Sequence, residues 1–366
     1  MAPEIGHCCG AYISSCGSRK VAAVQIQPLR GLTSVCASPL YQAMKDAPYL
    51  GDAFLARVRR SYRLALDAGA RPKGRIWKLI DARRQDVHDA LLANNNDALR
   101  RIFADPIATD LYYGMDGLCR SLMKSSDGRP FLELALASPR ATLARYQADR
   151  LLSTLGSISG RAVVEIGPGT GHCALFAFRD GVTDYTTIDL PLGMVAQARF
   201  LAEALGPDAI WMEGDVEPPP INKIRIFSAA SLPDRRYDVV INVDSMTEVS
   251  IKTALEYAEW INGHARLFIS MNHEWNLFTV TDLAKCALSA KPLHRARVPE
   301  RDGYFEEVFE IDRRLTNRKA DLWRLRGKAL VRFTQKASAW AGRRANRLYA
   351  YIRSRLGTGA RRVQPH

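Results

Sequence analysis

The stretch Ala162–His172, which reads AVVEIGPGTGH, joins a short apolar run to an acid and three glycines at alternate positions. The apolar residues are typical of a strand buried on both faces, and such strands belong to parallel sheets flanked by helices. Gly167, Gly169 and Gly171 predict a turn with positive φ whose bare backbone a ligand can approach closely. A helix should begin near His172, with its free N–H groups facing the crevice where open α/β sheets bind ligands.

The spacing of the glycines distinguishes two kinds of nucleotide cofactor. A dinucleotide fingerprint, G-x-G-x-x-G, would need glycine at position 172, where the chain has histidine. The observed pattern, E-x-G-x-G-x-G from Glu165, resembles motif I of the class I S-adenosylmethionine-dependent methyltransferases. In that motif the acid lies near the methionine moiety and the glycines pass under the ligand. The alternative interpretation is an ordinary glycine turn.

A second landmark is YTTIDLP, which predicts a second strand ending at Asp189. An acid at the tip of the second strand can accept hydrogen bonds from both ribose hydroxyls of a nucleotide cofactor. It can also cap the helix expected to start at Pro191, and the two roles are compatible. With both motifs in β-α-β order, we assign Asp189 and its neighbour Leu190 to an S-adenosylmethionine site.

The third strand has two candidate segments. One is 210–212, and the other is 224–227, which ends at Ser228-Ala229-Ala230. The second is favoured because it leaves only a short connection to the next strand, DVVIN, and short connections are the norm in such units. Ala229 and Ala230 would then lie near the adenine. Residues 304–311, YFEEVFEI, alternate as a late edge strand should.

Two polar segments follow the fourth and fifth predicted strands and are candidates for the reaction centre. Asn242 ends the fourth strand and is expected at the cofactor. His273 is the first candidate for the general base, because neutral imidazole is available near neutral pH. A purely structural role for this histidine is an equal alternative. Glu248 and Asp244 are the next candidates for the base. These three residues and Glu274 could instead hold a divalent cation such as magnesium, but nothing in their spacing requires one.

Composition sets broad limits on the protein. With 366 residues, 47% hydrophobic and 25% charged, the chain can form one large or two ordinary globular domains. No apolar run approaches the roughly 18 residues of a membrane span, and no signal pattern opens the chain, so a cytoplasmic location is expected. Seven scattered cysteines suggest reduced thiols.

The net charge of +14 is concentrated in a tail. Residues 311–366 contain 16 Lys and Arg but only two acids, and the rest of the chain is balanced. Apolar residues recur there at near-helical spacing, with basic residues between them, which predicts a basic amphipathic helix or two shorter pieces. The apolar stripe is Leu322, Leu325, Ala329, Phe333, Ala337, Trp340, Leu348 and Ile352. The helix could pack on the enzyme with a solvated charged face, or lie peripherally on the anionic inner membrane surface.

These patterns predict four parts. Residues 1–40 form a poorly ordered lead-in, 41–156 a helical region, 157–312 an S-adenosylmethionine-dependent methyltransferase domain and 313–366 the basic tail. The fold class is α/β, with a Rossmann-like class I methyltransferase sheet.

Several tracts in this order resemble a bacterial family of sugar O-methyltransferases. They are EIGPGTG, IDLP, DVVINVDSMTEV and FISMNHEWN, and DPIATDLYYGMDGL at 105–118 is similar to the segment before that family's core. The resemblance spans about residues 100–311 and implies methyl transfer to a hydroxyl of a carbohydrate or glycolipid. IDLP also resembles enzymes that methylate phenols, but those carry a catalytic histidine where residues 244–248 have none. Further alternatives are a natural-product methyltransferase, an RNA-binding methyltransferase that uses the basic tail, and a non-catalytic binding module; nucleic acid is the less favoured partner.

Overall fold

The structure is a computed structural model that describes residues 51–69, 84–104, 139–299, 301–312 and 321–338. The predicted lead-in 1–40, the segment 105–118 and the tail beyond residue 338 lie outside the described residues. Within the described ranges, no helix is both long enough and apolar enough to cross a membrane.

An eight-stranded sheet organises the described part of the chain. Its strands, in chain order, are β1 Ala162–Ile166, β2 Asp184–Asp189, β3 Ile210–Met212, β4 Ile224–Ser228, β5 Tyr237–Val243, β6 Ala265–His273, β7 Ala290–Arg297 and β8 Tyr304–Ile311. Across the sheet the order is β3-β4-β2-β1-β5-β6-β8-β7. The first six strands in this order, from β3 to β6, are parallel to one another, whereas β8 is antiparallel to both β6 and β7. This order confirms the predicted Rossmann-like α/β sheet.

The two segments considered for the third strand are both strands. β4 pairs directly with β2, with Arg225 opposite Thr186, so the favoured segment is the inner neighbour. β3 adds to the outside of β4, with Ile210 opposite Ile224. The prediction that residues 224–227 form the strand next to β2, which was based on the short connection to β5, is therefore correct.

The prediction that residues 304–311 form an edge strand is wrong. β8 lies between β6 and β7, and the edge is β7, whose sequence AKPLHRAR is mostly polar and mostly exposed. An edge strand pairs on one side only, so it tolerates charged residues and a proline such as Pro292. That composition lacks the apolar alternation by which a strand is recognised in a sequence.

Hydrophobic layers cover both faces of the sheet. All five residues of β1 are buried, and successive side chains point to opposite faces. Val163 belongs to one core cluster and Val164 to the other, and Val239 and Val240 of β5 divide in the same way. This explains why β1 has a continuous apolar run instead of an alternating pattern.

Helices flank the sheet, and the four that precede β1 in the chain form the N-terminal helical region. In chain order they are α1 Asp52–Asp67, α2 Gln85–Leu92, α3 Asn96–Ala104, α4 Pro139–Leu155, α5 His172–Arg179, α6 Pro191–Leu205, α7 Ile251–His264, α8 Val280–Ala287 and α9 322–338. The α1 residues Leu55 and Tyr62 lie in the same core cluster as Val163. Arg57 binds Asp215 through Nε and Nη2 at 3.0 and 2.7 Å. The predicted N-terminal helical region thus shares a core with the sheet.

Helix α9 confirms that the tail begins as a helix, but its faces differ from the prediction. Leu325 and Ala329 are buried as expected, whereas Phe333 is 58% exposed. Lys328 and Arg332, expected on the solvated side, instead form ion pairs with Asp282 of α8. These ion pairs orient the helix differently from the way its apolar stripe alone would predict.

Candidate cofactor and acceptor site

The glycine turn after β1 has the predicted backbone. Gly167, Gly169 and Gly171 have φ of 67°, 62° and 89°, and α5 begins directly after the last of them. A Cβ at Gly167 would lie 2.3 Å from Ser245 Oγ, so the turn and the loop after β5 fit together only with glycine there. A Cβ at Gly169 would meet no atom within 4 Å, so the backbone at this point borders open space. The turn therefore offers the bare surface that a cofactor needs.

Glu165 is a buried acid beneath this turn. It accepts a hydrogen bond of 2.9 Å from the Tyr185 hydroxyl. Burial raises the pKa of Glu165 to about 7, the charge of Asp189 adds to the rise, and the Tyr185 hydrogen bond opposes it. The ends of β1 and β2 thus bring together the two acids that the sequence assigned to the cofactor.

Asp189 ends β2 and is held by hydrogen bonds from Leu190, Gln197 and the backbone N–H of Gly169. Its Oδ1 accepts from the Leu190 backbone N–H at 2.7 Å and its Oδ2 from Gln197 Nε2 at 2.8 Å. Burial raises the pKa of Asp189 to about 7. A Cβ at Gly193 would lie 2.4 Å from Asp189 Cγ, so α6 packs closely against this carboxyl. The prediction that Asp189 caps α6 is wrong: Leu190 is the N-cap and makes no side-chain capping bond.

The other predicted cofactor residues surround these acids at the carboxyl ends of the strands. Ala229 donates its backbone N–H to the carbonyl of Asp189 at 2.7 Å, and Ala230 donates to Ser228 Oγ at 3.0 Å. Leu190 is half-buried next to Asp189. These contacts bring 229–230 beside Asp189, where the sequence expected the adenine end of a nucleotide.

Asn242 has a different environment from the one expected of a cofactor ligand. It is fully buried; its Nδ2 donates to the Ile166 carbonyl at 2.8 Å and to Ser245 Oγ. Its Oδ1 accepts from the Met246 N–H at 3.1 Å and from Asn272 Nδ2 at 2.8 Å. All the hydrogen-bonding capacity of this amide is used within the protein. Asn242 therefore shapes the loop after β5 and has no atom left for a ligand.

A polar network, missed by the sequence reasoning, joins this loop to the end of β6. Thr247 Oγ1 lies 3.3 Å from Asn272 Oδ1 and accepts from Asn276 Nδ2 at 2.6 Å. The tracts DSMTE and MNHEWN, which supply these residues, are distant in sequence but end on adjacent strands. Only the pairing of β5 with β6 reveals that they form one wall of the crevice.

Asp244 begins the acceptor side of the crevice and is unusual in its backbone. Its φ is 57°, a conformation that is uncommon for non-glycine residues, though Asp and Asn adopt it more often than most, and that recurs at functional sites. Arg301 forms an ion pair with its carboxylate and lies over the Tyr304 ring, with 3.5 Å from Cζ to the centroid. Arg301 lies in the turn before β8 and Tyr304 begins that strand, so no local sequence signal linked them to Asp244.

Glu248 is the acid best suited to take up a proton. It is half-buried, and burial raises its pKa to about 7, the nearby charge of Asp244 raises it further, and Arg301 opposes the rise. A carboxyl group with a pKa near the working pH is divided between its two protonation states and can act as a general base. Glu248 and Asp244 therefore lie together, as the sequence predicted.

His273 also joins this cluster, but its lone pair is engaged. The Trp275 backbone N–H donates to His273 Nδ1 at 2.9 Å, so the neutral ring carries its proton on Nε2. Nε2 faces Gly303, where a Cβ would lie only 2.7 Å away, and Tyr304 meets the ring edge-on at 4.7 Å between centroids. Burial lowers the pKa of His273. In this arrangement the imidazole has no free lone pair, which reverses the order of His273 and Glu248 as candidate bases.

The four side chains proposed for a divalent cation are not gathered around one point. Glu274 forms an ion pair with Arg295 at 3.1 Å, and Asp244 with Arg301. Among the described residues, no group of three or more His, Cys, Asp or Glu side chains could hold a metal ion.

No protein-family model and no curated protein matches this chain. The magnesium protoporphyrin IX methyltransferase of Synechocystis PCC 6803 with bound S-adenosylmethionine is 17% identical over 56% of this chain and 96% of that one, with a TM-score of 0.35. The pyocyanin biosynthetic protein PhzM is 13% identical over 62% of this chain and 67% of that one, with a TM-score of 0.37.

A further solved structure is the tRNA (uracil-54, C5)-methyltransferase of Pyrococcus abyssi in complex with S-adenosyl-L-homocysteine. It is 10% identical over 46% of this chain and 38% of that one, with a TM-score of 0.32. These TM-scores are all below 0.5, so the likenesses carry no argument about acceptor or mechanism. The fold assignment rests on the strand order, and the function rests on the residues of the crevice.

Proposed function

We propose that the protein is an S-adenosylmethionine-dependent O-methyltransferase that acts on a hydroxyl of a sugar or glycan. The observation that carries this proposal is the glycine turn at the carboxyl end of β1, flanked by the buried acids Glu165 and Asp189. β1 lies between β2 and β5, where the chain switches from one side of the sheet to the other. Open α/β sheets bind their ligands at such switch points.

The residues of the crevice fit this cofactor. Asp189 is suited to accept hydrogen bonds from the ribose hydroxyls, with Gln197 fixing its orientation. Glu165 would lie near the methionine moiety, and Ala229 and Ala230 beside the adenine. The cofactor, when bound, supplies an electrophilic methyl group on a cationic sulfur. The open space over Gly169 supports close approach of a ligand to the turn.

The chemistry left to the protein is orientation and removal of one proton. In-line displacement needs the acceptor oxygen aligned with the methyl carbon, and such positioning supplies much of the rate acceleration. A sugar hydroxyl is a poor acid, so a base contributes about 10² to 10⁴-fold. We assign that base to Glu248, and assign Asp244, held by Arg301, to hydrogen bonding with the acceptor. The Nε2–H group of His273 is then a hydrogen-bond donor and not a base.

The sugar assignment draws on the polar lining of the acceptor side and on the resemblance of INVDSMTE and SMNHE to sugar O-methyltransferases. A phenolic or natural-product hydroxyl is the second candidate. The observation in its favour is that Trp275 and Leu277, directly after the acceptor strand β6, are 55% and 48% exposed. An aromatic acceptor could stack there. A weakly acidic phenol would also need the base less than a sugar does.

Labelled methyl transfer distinguishes these acceptors. Full-length protein is incubated with methyl-labelled S-adenosylmethionine and, separately, with fractionated glycans and glycolipids, a panel of phenols, or total RNA. We expect label in saccharide, and loss of that label in the Glu248→Gln variant. Label confined to phenols or to RNA would contradict the sugar assignment, and label in none of the fractions would contradict the proposed activity.

We further propose that the outer face of α9 rests on an anionic membrane surface, near glycolipid acceptors. Trp323, Leu330 and Phe333 on this face are 78%, 64% and 58% exposed. Aromatic and aliphatic side chains on a basic helix are the features of an interfacial helix, and each nearby Lys or Arg adds about 1 kcal/mol on an anionic surface. The inward ion pairs of Lys328 and Arg332 leave this apolar face to the solvent side.

Vesicle sedimentation tests the membrane proposal. We expect full-length protein to pellet with phosphatidylglycerol vesicles but not with neutral phosphatidylcholine vesicles. The double variant Trp323→Ser/Phe333→Ser should stay in the supernatant. Leu293→Ser is the control, because Leu293 is also an exposed apolar residue, at 51%, but lies on β7. Equal pelleting of the double variant and wild type would contradict the proposal, and RNA binding lost on truncation after Ile311 would favour the RNA alternative.

A further inference from the structure

Helix α9 is attached to the enzyme beside the acceptor cluster. Lys328 Nζ lies 2.7 Å from Asp282 Oδ1, and Arg332 Nε lies 3.1 Å from Asp282 Oδ2. Arg332 Nη1 also donates to the backbone carbonyl of Glu274 at 3.0 Å. Glu274 directly follows His273, so these contacts bring the inner face of α9 to the loop that ends β6.

Lys336 continues this inner face one helical turn beyond Arg332. It is half-buried, and the structure gives it no ion pair or hydrogen bond with any described residue. Burial and the repulsion of Arg332 lower the pKa of Lys336. Its charge in turn contributes to the lowered pKa of His273, and Arg332, one turn earlier on the same face, contacts the backbone of the residue that follows this histidine. A partly desolvated ammonium without a partner is costly, and an anion at this point would offset the cost.

The inner face of α9 carries more positive charge than its one acidic partner balances. Lys328 and Arg332 share the single carboxylate of Asp282, and Lys336 has no acidic partner in the described part of the chain. Glu274, in the loop that α9 contacts, shares Arg295 with Glu307, at 3.1 and 3.2 Å. The inner face of α9 therefore brings about two positive charges more than Asp282 balances to the acceptor side of the crevice. A phosphate group carries a matching charge at neutral pH.

We propose that Lys336 binds a phosphate group of the acceptor, with Arg332 supplying a second positive charge. The inference rests on the proposed function, because it takes the crevice beside Glu248 and His273 as the acceptor site. It narrows the acceptor to a phosphorylated sugar. The phosphate can be that of a soluble sugar phosphate or of a sugar carried on a polyprenyl phosphate, and both present the same chemistry to Lys336.

Calorimetric titration of the full-length protein with pyrophosphate and with a hexose 1-phosphate tests the site. Lys336→Gln should weaken binding of both by at least about tenfold, because a charge-assisted hydrogen bond is lost, whereas Lys336→Arg should retain most of the affinity. Arg324→Gln is the matched control, because it removes the same charge from an exposed position of the same helix. The control should bind as wild type does.

The titration of His273 provides a readout that a merely structural lysine would not change. Asp244 and Glu274 raise the pKa of this imidazole, while burial, Arg301 and Lys336 lower it. Phosphate bound at Lys336 should offset that cation and raise the pKa of His273, as followed by NMR of the ring protons. The rise should be absent in Lys336→Gln. Equal phosphate affinity of wild type and Lys336→Gln, or no change at His273 on phosphate addition, would overturn the proposal.

Two further arms identify the source of the phosphate and separate this proposal from the function on which it rests. Competition with pyrophosphate by the hexose 1-phosphate supports a soluble acceptor, and competition only by vesicles that contain a polyprenyl phosphate supports a lipid-linked one. Affinity for S-adenosylhomocysteine should be the same in wild type, Lys336→Gln and Arg324→Gln. If none of them binds S-adenosylhomocysteine while phosphate binding depends on Lys336, the proposed function fails and the anion site stands.

Discussion

At the scale of single residues, the crevice is defined by acids whose ionisation is opposed by burial. Glu165, Asp189 and Glu248 each have a pKa raised to about 7, and in each case burial is the first cause. Asp244 instead keeps Arg301 beside it as a counter-charge. Carboxyl groups can therefore serve as the proposed cofactor contacts, the proposed base and a paired anion, because their surroundings differ.

The residue types at the site could be predicted from the sequence, but their roles could be predicted only in part. Glu165 and Asp189 could be predicted because each lies at or next to the end of a predicted strand within a recognisable motif. The tautomer of His273 could not be predicted, because it depends on a backbone donor two residues further along. Arg301 was also missed, since it lies 57 residues from its partner Asp244 and is joined to it only by the antiparallel pairing of β8 with β6.

Glu248→Gln should abolish most turnover. We expect a decrease of about 10² to 10⁴-fold in kcat with cofactor affinity unchanged, because the base is lost and the glycine turn is not touched. In the wild type, the rate should rise as pH increases through about 7, the pKa of Glu248, since the base must be unprotonated. His273→Ala should cost less. Full turnover in Glu248→Gln together with none in His273→Ala would restore the imidazole as the base.

The free energy of unfolding of the ligand-free protein should fall between about pH 4.5 and pH 7. A raised folded-state pKa means that the native protein binds more protons than the unfolded chain, so stability decreases as pH rises through this window. At about 1.4 kcal/mol per pKa unit, Glu165 accounts for roughly 3–4 kcal/mol at most. The lowered pKa of His273 acts in the opposite direction but is a single group. Urea unfolding at pH 5.5 and pH 8 measures the change.

Glu165→Gln provides the control for this pH dependence. The variant retains a partner for the Tyr185 hydroxyl but cannot titrate, so its stability should change less with pH than that of the wild type. Identical slopes for the two proteins would mean that Glu165 is ionised throughout, contrary to its burial.

At the scale of elements, the glycine turn is where the cofactor side and the acceptor side of the crevice meet. Gly167 packs against Ser245 of the loop after β5, so the two loops cannot move apart without opening the site. The strand, turn and helix at 162–179 could be predicted because all their determinants are local. β7 could not, because an edge strand needs few apolar residues. The orientation of α9 was missed for a third reason: Asp282, on α8, attracts Lys328 and Arg332 inward.

Gly167→Ala should destabilise the protein and remove cofactor binding. A φ of 67° costs an L-residue about 1–2 kcal/mol, and the added Cβ would lie 2.3 Å from Ser245 Oγ, so we expect a loss of roughly 2–4 kcal/mol in the free energy of unfolding. Chemical denaturation measures it. Gly263→Ala is the matched control, because it lies in helix α7 and its Cβ would meet nothing within 4 Å. We expect that control to be neutral or stabilising by about 0.5–1 kcal/mol.

A second variant separates backbone strain from the contact. Ser245→Gly in the Gly167→Ala background removes the contacting side chain and should recover part of the stability. Stability equal to wild type in Gly167→Ala alone would contradict the tight fit between the turn and the loop after β5.

At the scale of the whole molecule, the residues proposed for the cofactor and those proposed for the acceptor lie on opposite sides of β1 in the sheet. The ends of β1, β2 and β4 provide the residues assigned to the cofactor, and the loops after β5 and β6 and before β8 provide those assigned to the acceptor. The excess of positive charge lies outside this sheet, and α9 brings part of it to the acceptor side. The residues proposed for the cofactor thus come from local sequence motifs, whereas those proposed for the acceptor come from segments distant in the sequence.

Binding of S-adenosylmethionine to the full-length protein, measured by calorimetry, tests the central claim most directly. We expect one site per chain, and an affinity at least about tenfold lower in Asp189→Ala, because hydrogen bonds to a charged acceptor are each worth about 1.5–3 kcal/mol. Near-ultraviolet circular dichroism should show that the variant stays folded, and Asp208→Ala, at an exposed acid after α6, should bind as wild type does. No binding by the wild type, or equal affinity in Asp189→Ala, would contradict the account.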